Sequence, residues 1–69
     1  MKTRTVQVEV FAVLSDFQQV RVRTVDGHQY AITAKTIGVD WCTLREGQRM
    51  VCTVTTSLLP TVLHARALD

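Results

Sequence analysis

The dominant pattern in this chain is alternation with a period of two. From Thr5 to Leu14, the residues Val6, Val8, Val10, Ala12 and Leu14 fall on one side, and Thr5, Gln7, Glu9, Phe11 and Val13 on the other. That is the spacing of a strand with one face on a core. A second run starts at Gln19, with Val20, Val22 and Thr24 facing one way and Arg21, Arg23 and Val25 the other. Eleven valines, ten threonines and two isoleucines among 69 residues reinforce the pattern, because β-branched side chains suit a pleated strand and lose freedom in a helix. The expectation is a single all-β domain over residues 1–69, near the size at which one core is only just sufficient.

The stretch "VRVRTVDGHQYAITA", Val20 to Ala34, permits a test of register. A two-residue loop at Asp26-Gly27 would set Arg23 opposite Tyr30 and Arg21 opposite Ile32, leaving Gln29 and Ala31 inside. A three-residue loop, Val25-Asp26-Gly27 with glycine in the left-handed position of a bulge, instead pairs Thr24 with His28, Val22 with Tyr30 and Val20 with Ile32. A slip of one residue exchanges the two faces, so the hydrophobic pattern selects the bulged loop. Arg21 and Arg23 then point outward beside Gln29, Ala31 and Thr33, and Tyr30 joins the core.

Elsewhere the punctuation is plain. Ser15-Asp16-Phe17-Gln18 is a turn, and Asp40 is placed to cap a short helix or a single helical turn through Trp41 to Leu44, closed by Gly47. Met50, Cys52 and Val54 alternate with Val51, Thr53 and Thr55 as a fourth strand. Pro60 cannot donate to a ladder, so Ser57–Pro60 is a connection. Thr61 to Leu68 reads as a fifth strand whose inward face is ambiguous.

The formal net charge is only +2, but its placement is uneven. Asp16, Asp26, Asp40, Glu46 and Asp69 fall at turns, a helix start or the terminus, so Glu9 is the one acid within a strand. Arg21, Arg23, Arg49 and Arg66 all lie on strands and Lys35 at a strand end, which makes the sheet surface more positive than the total. No apolar run approaches the roughly 20 residues of a membrane span. Met1-Lys2-Thr3-Arg4 lacks the form of a secretory signal, and the expected location is cytoplasmic. Two cysteines, Cys42 and Cys52, do not form the framework of a disulfide-stapled mini-protein, and Cys52 sits where a small buried hydrophobe is expected.

Five short strands with a helical connection between the third and fourth are the layout of an OB-fold, a five-stranded Greek-key barrel. "VRVRTVDGHQYAITA" resembles the second and third strands of the bacterial translation initiation factor one family, and "LREGQRMVCTVT" is similar to the fourth strand of that family and of cold-shock domains. The resemblance implies an OB-fold whose strand-two and strand-three face binds RNA or single-stranded DNA. Two departures stand out. The connection after strand three reads Ile37-Gly38-Val39-Asp40, where initiation-factor members usually carry basic residues. The aromatic platform of cold-shock domains is replaced outwardly by Arg21, Arg23, Gln29, Ala31 and Thr33.

The candidate nucleic-acid-binding residues are Arg21, Arg23, Lys35, Phe11 and Phe17. Arginine would contact phosphate or stack on a base by its guanidinium plane, lysine would contact phosphate, and exposed aromatics beside them would stack bases. The bland alternatives are that the cations merely solvate a half-buried sheet, that Phe11 marks a bulge turning it inward, and that Phe17 packs over the barrel end. Trp41 reads as a plug beneath its loop. His28, His64, Cys42 and Cys52 lack metal-ligand spacing, the serines and cysteines lack an evident base, and no Gly-rich phosphate loop occurs. The expectation is a non-catalytic binder of low sequence specificity, without cofactor or metal. The alternative is a protein-interaction module, as a homodimer or a subunit of a larger complex, using apolar residues such as Val13, Val25, Val51, Leu58 and Leu59.

Overall fold

A computed structural model describes residues 2–68. It is all-β: β1 (Thr3–Leu14), β2 (Gln19–Arg23), β3 (Gln29–Thr33), β4 (Arg49–Thr55) and β5 (Val62–Ala67) form one antiparallel sheet in the order β3-β2-β1-β4-β5. The sheet curls into a small barrel. Its seam is a parallel bridge, in which the Ile37 amide donates to the Leu63 carbonyl at 3.0 Å and the Ala65 amide to the Ile37 carbonyl at 3.0 Å. The Thr36 hydroxyl, buried at the same place, donates to the Val62 carbonyl at 3.1 Å. Bringing the two edges of the sheet together withdraws backbone groups that would otherwise offer a template for pairing.

β1 organises the fold because it pairs with β4 from Thr3↔Thr55 to Glu9↔Arg49 and with β2 from Glu9↔Arg23 to Leu14↔Gln19. A strand that changes partners must bend. The register passes from Val10↔Val22 to Ala12↔Arg21, so Phe11 is the extra residue of a bulge, the device that bends and twists a strand. The bulge reverses the inward phase. Alternation through to Leu14 would bury Ala12 and expose Val13, whereas Val13 lies opposite Val20 and packs against the core. Val13 is therefore removed from the exposed apolar surface expected of it.

The β2–β3 hairpin has the bulged register. Val20 pairs with Ile32, Val22 with Tyr30 and Arg23 with Gln29, and the Thr24 amide donates to the His28 carbonyl at 2.8 Å. Gly27, at φ +93°, occupies the position that needs a residue without a Cβ.

The core collects Val8, Val10, Val20, Val22, Ile32, Met50, Cys52 and Val54, all nearly or wholly without solvent contact. Each buried aliphatic side chain of this size contributes about 1.5–3 kcal/mol by leaving water. In β5 a second bulge at Leu63 shifts the register between Thr53↔His64 and Val54↔Val62. This resolves the ambiguous strand, with Val62 and Ala65 inward and His64 and Arg66 exposed. The helical connection is one 3-10 turn, Trp41–Thr43, whose first amides are met by Asp40: its carboxylate accepts from the Cys42 amide at 3.2 Å. Trp41 packs against the core as a plug. No helix among the described residues is long and apolar enough to cross a membrane.

Candidate nucleic-acid interface

Strand alternation fixes the outward face of β2. With Val20 and Val22 in the core, Arg21 and Arg23 must project from the opposite side. Arg23 lies over Phe11, its guanidinium carbon 5.3 Å from the ring centroid, within the range of a cation–π contact worth about 0.5–1 kcal/mol at an exposed site. The bulge places the ring there. Phe11 is half-buried but is not packed into the core, so the bulge turns it toward the arginines rather than inward. Arg21 Nη2 donates to Gln29 Oε1 at 3.4 Å across the hairpin.

The other two residues lie at the far end of this face. Phe17 stands in the 3-10 turn Ser15–Phe17 between β1 and β2, with 74% of its surface exposed, and so does not pack over the barrel end. Lys35 follows β3, and the pairing of Gln19 with Thr33 sets its turn at the same end of the hairpin as Phe17. The structure thus groups Phe11, Arg21 and Arg23 and sets Phe17 and Lys35 beyond them.

A further row crosses the sheet. Arg23, Glu9 and Arg49 are successive cross-strand partners on β2, β1 and β4. The three line a half-open cleft of about 550 Å3, together with Thr24, Val25 and Leu68. Among the described residues the only ion pair within 4.0 Å is His28 with Asp26, at 3.5 Å, so Glu9 is not closed into a salt bridge with either neighbour. Glu9 was visible in the sequence as the one acid of a strand; its place between two arginines depends on the β1–β4 register, which no short-range pattern reveals.

The hairpin tip carries its own polar cluster. The Thr24 hydroxyl donates to the Asp26 carboxylate, and this bond, aided by His28 nearby, holds the carboxyl below the ordinary range. Beside this tip, where Arg4, His28 and Tyr30 line one cleft, Arg4 Nη2 donates to the Tyr30 hydroxyl at 3.4 Å, giving the buried ring's polar tip a partner. The two thiols differ. Cys52 is buried in the core and burial pushes it up to about 11, whereas Cys42 is exposed and its thiol is raised by the bond it donates to Asp40 Oδ1. Among the described residues no group of three or more His, Cys, Asp or Glu side chains converges as metal ligands would. No family model, curated protein or solved structure matches this chain at a significant level.

Proposed function

We propose that this domain is an OB-type barrel that binds RNA or single-stranded DNA with little sequence preference, without catalysis, through the outer face of β2. The observation that carries the proposal is the placement of Arg23 over Phe11 with Arg21 alongside. A cation already held against an aromatic ring has less freedom to lose on binding, and together the two offer phosphate contact and stacking surface at adjacent points. Stacking contributes about 1 to 3 kcal/mol per base and tolerates any sequence. Phe17, largely exposed, and Lys35, at the same end of the hairpin, would extend the track by one base and one phosphate. The strand order and the seam through Ile37 support the OB reading. Titrating the isotopically labelled protein with a 12-nucleotide RNA tests it: amide shifts concentrated at Phe11, Arg21, Arg23 and Gln29 support the assignment, and shifts elsewhere or none at all contradict it.

A second reading rests on exposed apolar residues in two loops. Val25, Leu58 and Leu59 are between 86% and fully exposed, and the adjacent pair Leu58-Leu59 offers the start of an apolar contact surface of the kind that marks protein interaction when contiguous. In that reading the domain joins a protein partner or a second copy of itself. Sedimentation that depends on protein concentration but not on salt would favour it.

A further inference from the structure

The cleft between β2, β1 and β4 has a composition that phosphate binding alone does not explain. Its volume of about 550 Å3 suits a ligand the size of a mononucleotide. Arg23 and Arg49 both line it, and two cations favour an anion. Between them, at the register position shared by both strands, stands the Glu9 carboxylate, which repels one. A site built only for phosphate would gain nothing from Glu9.

A ligand with an anionic end and a hydrogen-bond-donating edge satisfies all three side chains at once. We infer that this cleft is a nucleotide subsite in which Arg23 and Arg49 contact phosphate and Glu9 accepts from the exocyclic amine of a base, giving preference for amine-bearing bases over uracil. The inference rests on the nucleic-acid reading above and adds a selection step to it. Carboxylates accept from the cytosine amino group in this way, and a hydrogen bond to a charged acceptor is worth enough to discriminate about tenfold. Uracil presents carbonyls on both sides of its one N–H, so its edge meets the carboxylate with repulsion. Thr24 and the apolar Val25 and Leu68 complete walls against which a base can rest.

The test compares binding of labelled oligocytidine and oligouridine 12-mers to wild type, Glu9→Val, Glu9→Gln and Arg49→Ala, with folding of each variant checked by its thermal transition. Wild type is expected to prefer oligocytidine by about tenfold. Glu9→Val brings the ratio close to one, and Glu9→Gln, which keeps a neutral acceptor, lowers it to about threefold. Arg49→Ala weakens both ligands by a similar factor and leaves the ratio in place. A carboxylate acting only as a diffuse charge would instead shift both affinities together on substitution, with an unchanged ratio. That result, or a wild-type ratio of one, overturns the subsite while leaving general binding intact. Failure of wild type to bind either oligomer overturns both readings.

Discussion

Gly38 stands against His64 with no room for a side chain: a Cβ at Gly38 would lie 2.6 Å from His64 Nε2 and 2.7 Å from the Ala65 carbonyl oxygen. Its φ of +92° is also one that other residues rarely adopt. Both facts arise from the seam, where Ile37 bonds to β5 on either side of His64. Strain of this type costs of order 1–3 kcal/mol, and the imidazole can rotate aside but the Ala65 backbone cannot. Gly38→Ala is expected to lower the melting temperature by roughly 10 °C or more. Gly47→Ala, at φ +87° in open space, is expected to lose less than half as much. Thermal unfolding of the two variants side by side separates steric contact from backbone strain.

Thr36 supplies the seam's other fastening. Its hydroxyl accepts from the Thr33 amide at 3.2 Å and donates to the Val62 carbonyl at 3.1 Å. Thr36→Val keeps the shape and removes both bonds, so denaturant unfolding is expected to show a loss of about 1–3 kcal/mol, the cost of leaving buried polar groups unpaired.

The hairpin tip gives a pH dependence of definite sign. The Asp26 carboxyl is held below its ordinary value of 3.8, chiefly by the bond from Thr24. A carboxyl depressed in the folded state stabilises that state above the unfolded value, and the contribution disappears as pH falls through the folded one. The melting-temperature difference between wild type and Asp26→Asn is therefore expected to be fully present at about pH 5. It shrinks below pH 4. A difference that grew on acidification would contradict the assignment.

The thiols provide a separate check on burial. A disulfide-exchange reagent at mildly alkaline pH is expected to label Cys42 in the folded protein and to reach Cys52 only on unfolding, since Cys52 has no exposed surface and a pKa pushed up to about 11. Asp40→Asn removes the negative acceptor that raises Cys42, so labelling of Cys42 is expected to quicken.

Much of this architecture was legible from local pattern. The β2–β3 register followed from Val20, Val22, Tyr30 and Ile32, because only one loop length buries all four. Trp41 as a plug and Cys52 as core followed from their neighbours. A bulge at Phe11 was one of the readings its sequence offered, but with the ring turned inward instead of outward, and the bulge at Leu63 had no local signal, since leucine does not demand one; each is imposed by the curvature of a strand serving two partners or closing a seam. That is why Val13 turned inward against the alternation. For the candidate site, Arg21 and Arg23 were readable as outward and Phe11 as outward with them, while the contact of Phe11 with Arg23 in particular depends on the register at the bulge. Glu9 facing Arg49 required a pairing between strands far apart in sequence.

The direct measurement of the central claim is fluorescence anisotropy of labelled single-stranded RNA and DNA 12-mers, titrated with wild type and with the Arg21→Ala/Arg23→Ala double variant at low and physiological salt. With about three to four phosphate contacts, the logarithm of the wild-type association constant is expected to fall with the logarithm of salt concentration at a slope near −2 to −3. The double variant is expected to bind at least tenfold more weakly, with a shallower slope by about one unit or more. Binding that is insensitive to salt and unchanged in the double variant, or the absence of binding at low salt, would contradict a nucleic-acid interface on β2.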